Sequence, residues 1–310
     1  MTTSPLTALS RGGKAALAAA LARLERAPEA EETLALLDAA YRAPRAHVVG
    51  VTGPPGVGKS TLIGVLIAAW RRAGETVGVI AVDPSSRASG GALLGDRTRL
   101  RTDPEDDGVF VRSMAARDKL GGLAALTVSA MVLMRALYDK VIIETVGVGQ
   151  SETDVAGAAD TVVLCLQPGS GDSLQFMKAG IVEIPHVAIV TKSDLGEPAE
   201  RAKSDALAVL GLAEHGTEDW PVPVLLLSAL RREGIDELME AVSRHWHWLG
   251  DGQRLEQARR AQAAHWLIEG VREAFGREGL SRVGTLALPL GISPFRAAAD
   301  LAAKLRGALS

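Results

Sequence analysis

The sequence predicts an α/β fold with a mostly parallel sheet, an N-terminal helical extension and a C-terminal helical arm. Three observations carry that expectation. Short apolar runs alternate with helical patterns from residue 46 to about residue 250. Those runs are near-continuous Val, Ile and Leu, as in parallel strands covered on both faces. And Gly53-Pro54-Pro55-Gly56-Val57-Gly58-Lys59-Ser60-Thr61 stands between one such run and a helical pattern.

In chain order, residues 13–42 are rich in Ala, Leu, Glu and Arg, with Pro28 as a break. They read as two helices, about 13–26 and 30–42, the second ending before Pro44. Their apolar positions 17, 21, 24, 34 and 37 have helical spacing and are expected to pack on the main domain. Candidate strands follow at 46–51, 76–82, 108–112, 140–145, 161–166, 186–191 and 222–227. The helices between them fall near 59–73, 90–102, 120–138, 172–182, 198–211 and 234–248. Residues 253–275 and 294–308 read as two further helices. The expected division is an extension at 1–45, the main domain at 46–250 and a helical region at 251–310.

Composition bounds the class. The chain has 310 residues, 47% of them hydrophobic, and a formal net charge of −3, as an ordinary soluble globular protein does. That balance argues against nucleic acid as the main partner. No apolar run reaches the roughly 20 residues needed to span a bilayer, so no membrane role is expected. Met1 to Lys14 lacks the apolar core of a secretory signal. Cys165 is the one cysteine and has no intrachain partner. A reducing, cytoplasmic compartment is the expectation.

The stretch from Gly53 to Thr61 has the spacing Gly, four residues, Gly-Lys-Ser, the pattern of a phosphate cradle. Gly53, Gly56 and Gly58, with Pro54, Pro55 and Val57 between them, let the backbone curl so that N–H groups point inward. The helix that follows adds unpaired N–H groups and its positive end. Lys59 would place a point charge on the β- and γ-phosphates. Ser60 would offer its hydroxyl to Mg²⁺, with Thr61 closing the motif.

In a parallel sheet, ligand residues gather at the C-terminal ends of strands. Here those ends carry Asp83-Pro84-Ser85-Ser86, the stretch Glu144 to Glu152, Gln167 to Asp172, Thr191-Lys192-Ser193-Asp194 and Ser228-Ala229. Thr191-Lys192-Ser193-Asp194 matches the guanine motif usually written Asn-Lys-x-Asp. The Asp194 carboxylate can accept from both N1–H and the exocyclic amine of guanine, a donor pair that adenine lacks. The Lys192 stem would lie along the base. Ser228-Ala229 resembles the last guanine contact, where the alanine N–H meets the guanine oxygen. Thr191 departs from the usual Asn and loses an amide that would brace the loop.

Mg²⁺ wants oxygen ligands. Besides Ser60, the candidate acids are Asp83, Asp96 and Glu144. Glu144-Thr145-Val146-Gly147 stands where many GTPases have Asp-x-x-Gly. Glu144 could hold a metal-bound water, and the Gly147 N–H could meet the γ-phosphate. The next residue is Val148, at the place where a water-orienting Gln is common. An apolar side chain cannot orient water, so slow intrinsic hydrolysis with help from a partner is expected. Gln150 lies three residues past the glycine.

Taken together, Gly-Pro-Pro-Gly-Val-Gly-Lys-Ser-Thr at 53–61, Ala81-Val82-Asp83-Pro84-Ser85-Ser86, Leu93-Leu94-Gly95-Asp96-Arg97-Thr98-Arg99, Glu144 to Glu152, Pro168 to Gln175 and the stretch 191–194 resemble the MeaB/ArgK/MMAA family. The resemblance runs from about 45 to 245. That family implies a homodimeric GTP hydrolase that binds Mg²⁺ and GTP or GDP. It implies a chaperone for adenosylcobalamin-dependent acyl-CoA mutases, gating cofactor loading and ejecting inactivated cobalamin, without binding cobalamin itself. The mutase stimulates hydrolysis, and a cobalamin adenosyltransferase is a second partner the resemblance admits. It also implies that Asp83, Asp96 and Glu144 lie near the metal in two switch loops. Residues 167–180 match a third switch, and Lys178 matches a lysine that could stabilise γ-phosphate charge once a partner orders that loop. Arg87-Ala88-Ser89, where the family has Thr-Arg-Thr, and the stretch 112–119 depart from its pattern.

Rival readings are a metallochaperone GTPase, an ATP-dependent kinase and a nucleotide-gated scaffold with negligible turnover. The first would need Cys/His clusters with ligand spacing. Thr191 to Asp194 and Ser228-Ala229 argue for guanine against the second. His245-Trp246-His247-Trp248 invites a metal or stacking reading, but His at i and i+2 do not share a helix face, so helix packing is expected.

Overall fold

The structure is a computed structural model, and it describes residues 4–84, 100, 102–116, 125–145, 154–169, 183–211, 220–284 and 286–309. In chain order the elements are α1 (Pro5–Arg11), α2 (Gly13–Arg26), α3 (Glu31–Arg42), β1 (His47–Thr52), α4 (Lys59–Arg72), β2 (Val77–Pro84), β3 (Val109–Ala116) and α5 (Ala125–Arg135). There follow β4 (Lys140–Glu144), β5 (Thr161–Leu166), β6 (Val187–Val190), α6 (Glu197–Leu210), β7 (Val224–Leu226), α7 (Ile235–Gly250), α8 (Arg254–Val283) and α9 (Pro294–Leu309). The chain divides into two compact units. His47–Leu123 with Asp139–Leu255 form one; Met1–Ala46, Ala124–Tyr138 and Glu256–Ser310 form the other.

The first unit is built on a 7-stranded sheet in the order β3-β2-β4-β1-β5-β6-β7, every neighbouring pair parallel. All six residues of β1 and of β5 are buried, which is why the sequence shows them as near-continuous apolar runs rather than alternating ones. One face packs Val49, Val51, Val163 and Ile189 against Leu62, Leu66 and Trp70 of α4 and Leu238 and Val242 of α7. The other face packs Leu164, Leu166, Ala188 and Val190 against Ala199, Ala206 and Leu210 of α6. Alternate residues of β5 and β6 thus serve opposite layers, as the period of two requires. With the strands parallel, every C-terminal end lies on one edge. The chain lays β2 to β4 on one side of β1 and β5 to β7 on the other, so the order reverses at β1, where a ligand crevice belongs.

The second unit is helical. Leu17, Leu21 and Leu24 of α2 and Leu34 and Leu37 of α3 are buried at the expected spacing. Leu267 and Val271 of α8 share a cluster with Ala297 and Leu305 of α9. Arg296 on α9 makes a bidentate pair with Glu31 at 2.6 and 2.8 Å and reaches Asp38 at 3.1 Å, fastening α9 to α3. Arg306 grips Glu29 through two bonds of 3.0 and 2.9 Å.

Each expected strand is present within a few residues. The structure adds α1, whose seven residues are too few for a periodic signal. The expected helix at 253–275 runs on to Val283 across a break at Gly276, with φ 66 and ψ −162. The expected helix at 120–138 is described as Ala125–Arg135. The expected helix at 172–182 lies outside the described residues; of that at 90–102, Leu100 and Thr102 are described and are not helical. Among the described residues no helix is long and apolar enough to cross a membrane.

Candidate nucleotide-binding site

The phosphate loop leaves the buried end of β1 and turns into α4. Gly53 has φ 138, and a Cβ there would stand 2.3 Å from the Cys165 carbonyl oxygen, so only glycine lets the loop lie on β5. Gly58 caps α4 with φ 105 and ψ 19, left-handed backbone that favours glycine at the helix start. Lys59 is buried, and its Nζ donates to the carbonyls of Gly53 at 2.7 Å and Pro54 at 3.1 Å. A buried ammonium is tolerated because those carbonyls replace water. Cys165 beneath the loop is inert: burial pushes its thiol up to about 12.

β4 lies beside β1, with Glu144 opposite Val51. That register brings the Glu144 carboxylate to the helix start, where Ser60 Oγ donates to Glu144 Oε1 at 2.8 Å. Two hard oxygen donors, one anionic, thus meet at the N-terminus of α4, a donor set that fits Mg²⁺. One residue on, Thr145 Oγ1 donates to Thr52 Oγ1 at 2.9 Å, both buried. Asp83 is the last residue but one of β2, opposite Ala115, and its side chain is outside the described part. Asp96, Gly147 and Lys178, and with them Val148 and Gln150, lie outside the described residues.

On the other flank of β1, the stretch after β6 meets the same loop. Thr191 Oγ1 shares its proton between the carbonyls of Val57 at 2.8 Å and Leu166 at 3.0 Å. The hydroxyl therefore braces the phosphate loop, a role the sequence assigned to an absent amide; the short side chain suffices because Thr191 is buried directly beneath Val57. Lys192, at φ 56, donates from Nζ to the Gly56 carbonyl and to Gln167 Oε1, both at 3.1 Å. Ser228 Oγ donates to Asp194 Oδ1 at 2.6 Å and in turn accepts from Arg231 N at 3.2 Å. The hydroxyl holds the Asp194 carboxyl below the usual carboxylate range, so the group stays an acceptor pair. Ser228 and Glu233 exchange backbone bonds of 3.0 and 3.1 Å, closing a short loop that opens on Ala229, the residue next to Ser228. The guanine motifs, far apart in sequence, thus form one connected surface with the phosphate loop. Gln167, at the head of the strand-end stretch 167–172, belongs to it as expected; Thr52 belongs to it as well and was not singled out from sequence, because a threonine at a strand end is not diagnostic alone.

At the opposite ends of the strands lies a separate cluster. His47 opens β1, Thr161 opens β5 and His186 precedes β6. Thr161 Oγ1 lies 2.7 Å from both His47 Nε2 and His245 Nδ1. His186 Nδ1 accepts from Val162 N at 2.9 Å, and Trp220 Nε1 donates to the His186 carbonyl at 2.7 Å. The His245 ring lies 4.2 Å from His186, 4.9 Å from Trp220 and 5.6 Å from Trp248, while Trp246 stacks on His47 at 4.3 Å. His245 is buried and His247 exposed, as their i, i+2 spacing requires. The motif packs α7 onto the sheet, on the far edge from the phosphate loop.

Residues 16–281 match the model of a family described as "Methylmalonyl Co-A mutase-associated GTPase MeaB". A putative GTPase of Pyrococcus horikoshii is 44% identical over 220 residues, 70% of this chain and 69% of that one. The protein named "Methylmalonic aciduria type A homolog, mitochondrial" of Mus musculus is 39% identical over 228 residues, 73% of this chain and 55% of that one. A crystal structure described as a LAO/AO transport system kinase superposes with a TM-score of 0.66 at 27% identity, covering 99% of each chain. With a strand-end guanine motif and a phosphate loop joined in one surface, and a family match over most of its length, this chain belongs to the MeaB family of methylmalonyl-CoA mutase-associated GTPases.

Proposed function

We propose that the chain is a GTP-driven chaperone for an adenosylcobalamin-dependent acyl-CoA mutase of the methylmalonyl-CoA type. In this reading GTP binding and hydrolysis time the loading of intact cofactor and the release of inactivated cobalamin, with no cobalamin held by this chain. The observation that carries the partner is the family match over residues 16–281, a family described by its association with methylmalonyl-CoA mutase.

The residues divide the work. Gly53 to Thr61 cradle the phosphates through backbone N–H groups, and Lys59 turns from its carbonyl partners to the β- and γ-phosphates. Lys192 lies along the guanine, Asp194 reads N1–H and the amine, Ser228 holds Asp194, and the Ala229 N–H meets the oxygen. Ser60, Glu144 and the acids Asp83 and Asp96 are the oxygen ligands or water holders for Mg²⁺, which supplies charge neutralisation along the triphosphate when bound. The Gly147 N–H meets the γ-phosphate. Val148 orients no water, so the isolated chain turns over slowly, and Lys178 contributes its charge when the mutase engages the stretch 167–180. The chain works as a homodimer through its C-terminal helices, and a cobalamin adenosyltransferase is the natural donor of cofactor.

The test is single-turnover hydrolysis of GTP and ATP, with and without the mutase. GTP hydrolysis accelerated by the mutase, and acceleration lost in Lys178→Ala while the basal rate stays, is the expected result. Several turnovers per second by the isolated chain would refute the slow switch. Equal use of ATP would return the kinase reading, and absence of hydrolysis with the mutase present would return the scaffold.

A further inference from the structure

Two buried hydroxyls at the mouth of the site take no part in the roles above. Thr52 is the last residue of β1 and Thr145 the first beyond β4. The ladder between these strands makes its final bond from Thr145 N to the Val51 carbonyl at 3.2 Å. Beyond it the side chains take over, Thr145 Oγ1 donating to Thr52 Oγ1 at 2.9 Å. Each residue is 1% exposed.

Two valines would fill the same space with no polar group to desolvate, so for packing alone the hydroxyls are the poorer choice. What a hydroxyl pair adds is direction. It selects one χ1 rotamer at each residue and ties the chain leaving β1 to the chain leaving β4 at one separation, which two valines would not do. On one side the neighbour is Glu144, whose Oε1 is 2.8 Å from Ser60 Oγ. On the other it is Gly53, whose carbonyl holds Lys59 Nζ at 2.7 Å. The pair thus sits one residue away from both the oxygen cluster and the lysine anchor.

We propose that Thr52 and Thr145 are a positioning pair that sets the spacing between the Glu144–Ser60 oxygens and the Lys59 end of the phosphate loop, so that divalent cation and nucleotide phosphates are bound as one unit. The proposal rests on the reading of Ser60 and Glu144 as the Mg²⁺ pole. It predicts a loss of Mg²⁺ coupling, not a general loosening of nucleotide.

The experiment uses the full chain and the dissociation rate of a fluorescent guanosine diphosphate analogue, measured in Mg²⁺ and in EDTA. In the wild type Mg²⁺ slows dissociation. Thr145→Val lowers the ratio of the two rates by roughly tenfold, the scale of one buried hydrogen bond, while Thr145→Ser, which keeps the hydroxyl, restores it. Thr52→Val gives a similar loss, and the double Val variant is no worse than either single one, because one contact is removed once. Equal acceleration in Mg²⁺ and EDTA, additive single variants, or no rescue by Ser would overturn the proposal and leave a packing role. Ser60→Ala separates the two layers. If it leaves the ratio unchanged, the Mg²⁺ reading itself fails. If it collapses the ratio while Thr145→Val does not, only the positioning pair fails. Should Thr145→Val not fold, the Thr52→Val and Thr52→Ser pair decides the question by the same ratio.

Discussion

Mild acid should destabilise the sheet unit through its histidine cluster. Burial lowers the His186 imidazole to about 4, against a smaller opposing effect of Asp160. Burial, with His186 and His47 as like-charged neighbours, lowers His245 to about 2. Both folded values lie below the roughly 6.5 of an unfolded histidine, so the unfolded chain takes up the protons first. Their stabilisation is therefore complete above about pH 6.5 and is lost as the pH falls; for His186 the loss ends near pH 4, and for His245 it continues towards pH 2. Between about pH 7.5 and 5 each histidine should cost about 2 kcal/mol, about 4 kcal/mol together. That is a large part of the roughly 5–15 kcal/mol of a typical domain. Urea unfolding followed by tryptophan fluorescence reads it directly, because Trp220 and Trp248 lie on the His245 ring. The urea midpoint should fall by about 1.5 M over that interval, given an m-value near 2–3 kcal/mol/M. His245→Gln, which keeps a polar group against Thr161, should show about half the wild-type loss, since one of the two histidines is gone. A flat wild-type profile from pH 7.5 to 5, or an unchanged slope in His245→Gln, would refute the reasoning.

Three further outcomes follow from single contacts. Asp194→Ala should cost about 2–3 kcal/mol of guanine recognition by leaving its donor pair unmatched. Inosine triphosphate, which lacks the amine, should then compete equally with GTP, whereas the wild type prefers GTP; retained preference in the variant would place recognition elsewhere. Thr191→Val strips the proton shared by the Val57 and Leu166 carbonyls and should destabilise by about 1–3 kcal/mol, with Thr191→Ser close to wild type in thermal melting. Asp38→Ala removes the partner of Ser293 and one of two partners of Arg296, side chains 13% and 22% exposed for the ion pair. A loss of about 1–2 kcal/mol in the helical unit, seen as lower hydrogen-exchange protection in α9, is expected; an unchanged profile would show that Glu31 alone holds Arg296.

The sheet was legible because burial on both faces writes its central strands as near-continuous apolar runs, and β1 and β5 are buried at every position. The phosphate loop was legible because its glycines answer local backbone demands, the positive φ of Gly53, Gly56 and Gly58. What escaped is non-local. The insertion of β4 between β2 and β1 leaves no mark in either strand's own sequence. α1 is held by its contacts with α2 and α3, since seven residues cannot sustain a helix alone. The hydroxyl contacts join residues 93 positions apart for Thr52 and Thr145, 134 for Val57 and Thr191, and 84 for Thr161 and His245. A threonine in an apolar run reads as a strand former, and only its partner, distant in sequence, turns it into a tether.

Those tethers decide how the site can respond. Two stretches meet the phosphate loop and its flanks through short hydroxyls: the end of β4 through Thr145 to Thr52 and Ser60 to Glu144, and the end of β6 through Thr191 to Val57. A serine or threonine oxygen is one rotatable bond from its backbone, so it has no slack. A shift of the Val57 carbonyl by more than about half an ångström stretches a 2.8 Å bond past useful length, and Thr191 must follow or lose it. Lys192, with four carbons before its nitrogen, can keep hold of Gly56 while its backbone stays still. Movement of the phosphate loop therefore passes to the ends of β4 and β6 through the hydroxyls, while the lysine absorbs it. A Thr191→Asn chain, with one more bond in the tether, would loosen that link while keeping the hydrogen bond, and comparing nucleotide-dependent hydrogen exchange at 191–194 in the two chains tests whether tether length matters. Identical exchange would show that the strand ends move independently of the loop.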